Sequence, residues 1–314
     1  MRALLVTALI ALAIGGCGGS SDSPSGGAVP GAGHGGTLEW ALADRPSDLD
    51  PLFADSPSEK LVSRQIHEPL VEEVGGPYDD PRRLPGIALA VHPSSDDLVW
   101  RIRLRPGVRF QDGTLCDAAA VIANAQRWQA LSARSGIAPE PALFVFSPRP
   151  GEVTFKLAAP DPRFDRRLAS PRLGLVSPRA LRQAAGSPLD PSQVTGSGTG
   201  PFELRERGAD RLVLARNADW WGTDRGLGPA IDQLEMPVVA DPDERLADLR
   251  SGEIEAAGEL PAGEARRLRR DPLLSAIPDG YGTVTGVERS VRGIPPGIPA
   301  PSLNGTWLTR ISPG

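Results

Sequence analysis

Between Leu98 and Gln129 the hydrophobic period of this chain changes once, and that change narrows what the chain can become. From Val99 to Phe110 (VWRIRLRPGVRF) Trp100, Ile102 and Leu104 fall on one face, and Arg101, Arg103 and Arg105 on the other. A period of two belongs to a strand with one covered face. Arg105-Pro106-Gly107 punctuates it, and Asp112-Gly113-Thr114 supplies turn chemistry. Beyond the turn, Val121, Ile122, Ala125 and Trp128 recur at helical spacing as far as Gln129, with Asp117 placed as N-cap. A one-faced strand that runs into an amphipathic helix gives α/β architecture.

The remaining pattern agrees. Thr37 to Leu42 alternates as a first strand. Ser56 to Leu70 carries Leu61, Val62, Ile66 and Leu70 at helical spacing, with Ser56 or Ser58 available as N-cap. Glu152–Leu157 reads as a strand, Pro162–Ala169 as a short helix, Leu173–Val176 as a strand and Pro178–Ala185 as a helix. Phe202–Arg207 and Arg211–Arg216 suit a hairpin joined near Gly208, and Ile231–Val239 another strand. Pro242–Arg250 has acids in its first turn and Arg250 at its end, the favourable order for a helix dipole. Pro261–Arg270 repeats that arrangement more weakly, and one strand is expected around Thr283–Val287. No repeat of solenoid period is visible.

The N-terminus reads as an address. Arg2 precedes an apolar run from Ala3 to Ile14, too short to span a bilayer comfortably, and Gly15-Gly16-Cys17 follows. Ile14-Gly15-Gly16-Cys17 resembles the lipobox of bacterial lipoproteins. That resemblance implies cleavage before Cys17 and lipid on its thiol; the alternatives are a plain secretory signal or a buried helix. Residues 18–36 are nearly all Gly, Ser, Pro and Ala, the composition of a flexible tether. The expected division is 1–16 signal, 17–36 lipidated cysteine and tether, then the folded body.

Several kinds of chemistry are not written in the sequence. The formal charge of −5 gives no basic footprint for nucleic acid. Two cysteines exclude a disulfide scaffold. His34, His67 and His92 show no metal-ligand spacing, and Cys116 has no CxxC or CxxH partner. Asp241-Pro242-Asp243 opens like a calcium loop, but Arg245 stands at the third ligand position. Gly196-Ser197-Gly198-Thr199-Gly200 looks like a phosphate loop, yet Pro201 and a strand follow it where a helix is required. No nucleophile–base constellation is visible. Arg266, Arg267, Arg269 and Arg270 form a basic cluster that reads as a solvated face. Trp220 and Trp221 read as packing residues rather than ligand contacts. Neither a cofactor nor a metal is expected.

Four segments, in order, resemble the family 5 extracellular solute-binding proteins, the peptide/nickel-type receptors of bacterial ABC importers. They are GTLEWALADRPSDLDPLFADSPSEKLVSRQIHEPLVE with its Asp48-Leu49-Asp50-Pro51 turn, LVWRIRLRPGVRFQDGTLCDAAAV, GTGPFELRERGADRLVLARNADWWG, and LRSGEIE. Val291-Arg292-Gly293 and Gly305-Thr306-Trp307-Leu308 are similar to the family's C-terminal return. The resemblance implies a periplasmic-binding-protein fold of type II and no catalysis. It also implies a small peptide or similar solute, ABC permease subunits as partners, and a place on the outer face of the cytoplasmic membrane. Set against the family's two lobes, the 278 residues after the tether suit a lobe I-like body (37–287) with a return segment (288–314), lobe II being absent. A single lobe offers a half-site. The resemblance places that half-site at Asp55, Ser56, Pro57 and Ser58, whose other reading is a solvated helix start. The alternative function is an envelope lipoprotein that has lost solute capture and acts as a protein-interaction module.

Overall fold

The computed structural model describes residues 35–74, 82–135, 142–223, 229, 231–271, 273–278 and 283–288. The expected signal, Cys17, the expected tether as far as His34 and the return motifs beyond Glu288 lie outside the described residues. In chain order the elements are β1 (Thr37–Ala41), α1 (Pro57–Ile66), β2 (Glu72–Val74), β3 (Arg82–Leu84), β4 (Ala88–Pro93), β5 (Val99–Leu104), α2 (Ala118–Ser135), β6 (Ala142–Phe146), β7 (Glu152–Leu157) and α3 (Phe164–Arg167). There follow α4 (Pro178–Ala184), α5 (Pro191–Val194), β8 (Phe202–Arg207), β9 (Arg211–Arg216), β10 (Gln233–Pro237), α6 (Pro242–Ser251), β11 (Ala256–Pro261), α7 (Ala265–Arg270), β12 (Leu274–Pro278) and β13 (Thr283–Glu288).

These build a seven-stranded mixed sheet, β12-β13-β11-β1-β10-β9-β8, and a four-stranded antiparallel sheet, β4-β5-β7-β6. In the larger sheet β1 runs parallel to both its neighbours, β10 and β11. Its side chains Leu38 and Trp40 pack with Val62 and Ile66 of α1, Ala180 of α4, and Phe202, Leu214 and Leu234. A second core joins Trp100, Ile102 and Leu104 of β5 to Val121, Ala125 and Trp128 of α2. Phe164 of α3 closes it, 5.7 Å from Trp100 and 5.4 Å from Phe155 between ring centres. A third gathers Leu246, Leu249, Leu260 and Leu268 beneath α6 and α7. The alternation of β5 is thus a packing instruction: each buried aromatic or aliphatic side chain contributes about 1.5–3 kcal/mol.

Local chemistry sets the boundaries. Asp117 Oδ1 accepts from Ala120 N at 3.0 Å and starts α2, which runs six residues past Gln129. Asp241 caps α6 by accepting from Asp243 N, so its calcium-like spacing is a capping feature. Gly252 ends α6 at φ 76°, a conformation that favours glycine.

Two expectations are corrected. Leu173–Val176 is a short 3-10 turn and extended chain rather than a strand. Its buried backbone is satisfied elsewhere: Leu175 N donates to Glu68 O, Val176 N to Asn124 Oδ1, and Asn124 Nδ2 to Val176 O. A buried apolar run can therefore look like a strand while a side chain takes the partner's place. Arg105 does not share the exposed face of Arg101 and Arg103; it is buried. The strand ends at Leu104, the alternation lapses, and the guanidinium turns inward. Its Nε donates to Gly86 O at 3.0 Å, and its Cζ lies 4.4 Å from the Trp221 ring centre, a cation–π arrangement. Trp221 Nε1 in turn donates to Glu68 Oε2 at 2.9 Å. Burial, reinforced by Glu72, pushes the Glu68 carboxyl up to about 8.

Candidate functional site

In open sheets with parallel strands, ligands gather beyond the carboxyl ends of those strands. Here that region follows β1 and β11, and the chain leaving β1 returns through residues 42–56 to start α1. Pro57 at the first helical position and Ser56 as N-cap fix the start. Ser56 Oγ accepts from Glu59 N at 3.1 Å, while Glu59 reaches back to Ser56 N, a capping box. Of the two serines offered by the sequence, Ser56 caps and Ser58 does not.

Glu59 organises the whole ledge. Its Oε1 accepts from Ser47 N, Ser47 Oγ and Asp48 N at 3.0, 2.6 and 2.9 Å. Its Oε2 accepts from Asp55 N and Ser56 N at 2.9 and 3.1 Å. Burial opposes the charge, but these donors outweigh it and hold the carboxyl at about 2. One carboxylate therefore pins both ends of the Asp48–Pro51 turn's loop to the helix. Asp50, inside that turn, is fully buried; it accepts from Leu52 N and Leu189 N and pairs with Arg127.

The four residues singled out from the sequence occupy different environments on this ledge. The Asp55 carboxylate is 82% exposed, 3.6 Å from an Arg172 nitrogen, and its backbone carbonyl accepts from Lys60 Nζ. Ser56 and Pro57 are half-buried. Ser58 is buried, and its hydroxyl donates to Glu259 Oε1 at 2.7 Å. Glu259 lies in β11 with φ 55°, an uncommon backbone state for a non-glycine residue. Arg245 secures it by donating to the carbonyls of Val239, Ala240, Gly258 and Glu259. Asp55 and Arg172 thus sit together at the surface beyond β1, while the buried Ser58 ties the start of α1 to Glu259 of β11. The Asp55 carboxylate and the Arg172 guanidinium can hydrogen-bond a polar solute, whereas the Asp55, Ser56 and Glu59 amides are already held by the Glu59 and Ser56 side chains.

Glu59, Glu259 and Arg172 carry no site assignment in the sequence, and Arg245 enters there only as the residue that breaks the calcium-like spacing. Glu59 had a signal, the Ser56-x-x-Glu59 spacing of a capping box. Glu259 had none, because its role depends on a contact across 201 positions.

The other motifs resolve into packing. Gly198 and Gly200 lie against the end of α1, where a Cβ would stand 1.8 Å from Ile66 O and 2.3 Å from Gln65 O. Close approach of two backbones, not phosphate, accounts for these glycines. Ser197 Oγ lies 2.8 Å from His67 Nε2 and resembles a nucleophile–base pair. Both residues are buried, the hydroxyl proton goes to Val194 O, and burial pushes His67 down to about 4. The imidazole is neutral and the hydroxyl already engaged, so the pair is structural. Cys116 is buried and its thiol pushed far up by burial. Among the described residues no group of three His, Cys, Asp or Glu could hold a metal. Trp220 is buried and Trp221 packs against the second core.

Residues 83–291 match the family described as bacterial extracellular solute-binding proteins, family 5 Middle. The chain is 29% identical over 240 residues to the glutathione-binding protein GsiB of Escherichia coli O1:K1 / APEC, covering 74% of this chain and 44% of that protein. It therefore spans less than half the length of that relative. Among solved structures, it resembles the periplasmic binding protein DppA of Helicobacter pylori in complex with peptide STSA, with TM-score 0.63 at 20% identity over 78% of this chain and 51% of the other. NikA of Brucella suis, in complex with Fe(III)-EDTA, gives TM-score 0.64 at 24% identity over 77% and 48%. These neighbours show the fold: α/β with a mixed sheet, of the type II periplasmic-binding-protein kind.

Proposed function

The chain belongs to family 5 of the bacterial extracellular solute-binding proteins, and from that premise we propose that it recognises a small peptide-class solute for an ABC-type importer, without catalysis. The observation that carries this reading is the ledge at Asp55–Ser58. It lies beyond the carboxyl ends of β1 and β11, built on a family scaffold, with polar groups held rigidly by Glu59 and Arg245. Asp55, Ser56, Pro57 and Ser58 are the proposed contacts. A glutathione-binding relative and a peptide-holding neighbour support the peptide class. ABC permease subunits are the proposed partners.

The proposed arrangement has Cys17 lipidated, residues 18–36 as tether, 37–287 as a lobe I-like body and 288–314 as its return segment, at the outer face of the cytoplasmic membrane. One lobe is one wall of a cleft, and buries far less of a ligand than two. The chain alone is therefore expected to bind peptides with Kd weaker than about 100 μM. Calorimetry of the purified chain against mixed di- to pentapeptides tests this. Micromolar or tighter binding by a monomer would contradict the single-wall arrangement. Absence of any heat at millimolar peptide would contradict the receptor reading and favour the interaction-module alternative. An exposed apolar patch at the ledge would support that alternative. The exposed large apolar side chains among the described residues are Leu115, Phe144, Phe146 and Leu273, none of them on the ledge.

A further inference from the structure

The outer face of the four-stranded sheet combines exposed cations with exposed aromatic side chains. Its inner face is spent on the second core, through Trp100, Ile102, Val153 and Phe155. Outward, one cross-strand rung reads His92, Arg101, Thr154, Phe146, and the adjoining rungs place Arg103 beside Glu152 and Lys156 beside Phe144. Phe144 and Phe146 are 67% and 45% exposed, on β6 at the edge of the sheet. Arg101, Arg103 and Lys156 are exposed, and among the described residues no carboxylate lies within salt-bridge distance of them. Arg149 joins them at the β6–β7 turn, where it pairs with Glu152, the single acid of the face. Asp96 of the β4–β5 turn is engaged within its own loop by Ser94 Oγ and Leu98 N. The face is thus cationic on a chain whose formal charge is −5.

We propose that this sheet face docks on an anionic phospholipid surface, with Arg101, Arg103 and Lys156 against headgroups and Phe144 and Phe146 entering the acyl boundary. Cations beside exposed aromatic residues are the chemistry of interfacial membrane binding. The surface is shallow, its cavity beside His92, Arg101 and Arg103 being about 260 Å³, so it suits a sheet of headgroups better than a side chain seeking a pocket. Charge complementarity selects anionic lipid, because the exposed Arg101, Arg103 and Lys156 make the face cationic although the whole chain is not. The proposed lipid anchor at Cys17 agrees with this, because an anchored chain keeps a weak surface site close to its target. The inference rests on the membrane-side reading of the chain, but its test does not require lipid on Cys17.

The test uses the full chain carrying Cys17→Ser, so that no lipid is attached, and measures partition onto vesicles. Phosphatidylcholine vesicles report the contribution of the N-terminal apolar run; vesicles with about 30% phosphatidylglycerol report the charged face. Preference for the anionic vesicles is expected, and it should weaken in about 0.5 M salt. Arg101→Ser with Arg103→Ser should reduce that preference about 25-fold, at about five-fold per cation. Phe144→Ser with Phe146→Ser should lower partition about ten-fold while leaving its salt dependence. The pair Arg266→Ser and Arg270→Ser, on α7, should change it little. Circular dichroism confirms that each variant is folded. Equal binding to both vesicle types, or a preference that survives loss of Arg101 and Arg103, would overturn the proposal. So would a preference that follows the α7 pair, or salt-sensitive docking to an acidic protein with no lipid preference.

Discussion

Glu59→Gln removes the carboxylate on which five donors converge, and the structure permits its cost to be worked out. Oε1 serves Ser47 and Asp48, and Oε2 serves Asp55 and Ser56. An amide can satisfy one side only; on the other its NH2 would face two N–H groups. The native carboxyl is held at about 2 against an ordinary 4.5. The full linkage value of that shift is about 3.4 kcal/mol, and because the ledge lies at the surface, screening by water reduces the expected effect to about 2 kcal/mol. The sign follows from the depressed value. Glu59 contributes its stability fully above pH 4.5 and loses it as pH falls towards 2. Urea unfolding of wild type and Glu59→Gln at pH 6 should therefore differ by about 2 kcal/mol. The gap should close on acidification, because protonated Glu59 resembles glutamine. A difference under about 0.5 kcal/mol at pH 6, or a gap constant down to pH 2.5, would refute the claim that this carboxylate organises the ledge.

Glu68 has the opposite sign: its carboxyl is raised from 4.5 to about 8, so native stability falls between those pH values as the unfolded chain ionises. Glu68→Gln, which keeps an acceptor for Trp221, should raise Tm at pH 8 by about 5 °C and leave it nearly unchanged at pH 4, read by thermal melts. Gly198→Ala places a Cβ on Ile66 O and should cost about 3 kcal/mol or more, or prevent folding, measured by denaturant unfolding. The Cys116 thiol should resist alkylation in the native chain and react on unfolding, checked by mass spectrometry; rapid native labelling at residue 116 would show that its burial is wrong.

Elements whose signal is local were legible from sequence. The period of β5, the cap at Asp117, the β8–β9 hairpin and the polarity of α6 each depend on neighbours within a few positions, and each appears in the structure. The strand β11 (AAGELP) has neither alternation nor β-formers; parallel pairing to Trp40 and Ala41 makes it a strand. Conversely, Leu173–Val176 had the residues of a strand but found Asn124 instead of a partner strand. Arg105 obeyed the alternation until the strand stopped one residue earlier. The same division holds at the ledge. Ser56 and its cap could be read from spacing, whereas the Ser58–Glu259 bond and the Arg245 clasp are products of the tertiary fold. The ledge is proposed from family resemblance; the residues alone read first as a helix start.

The surface beyond β1 and β11 is the proposed place where this chain meets its solute. Amide NMR of the labelled chain, titrated with a mixture of short peptides to millimolar concentration, tests it most directly. The account predicts saturable shifts centred on Asp55, Ser56, Ser58 and Glu259, which disappear in Asp55→Ala with Ser58→Ala. Shifts confined to another surface, or a spectrum that no peptide moves, would contradict it.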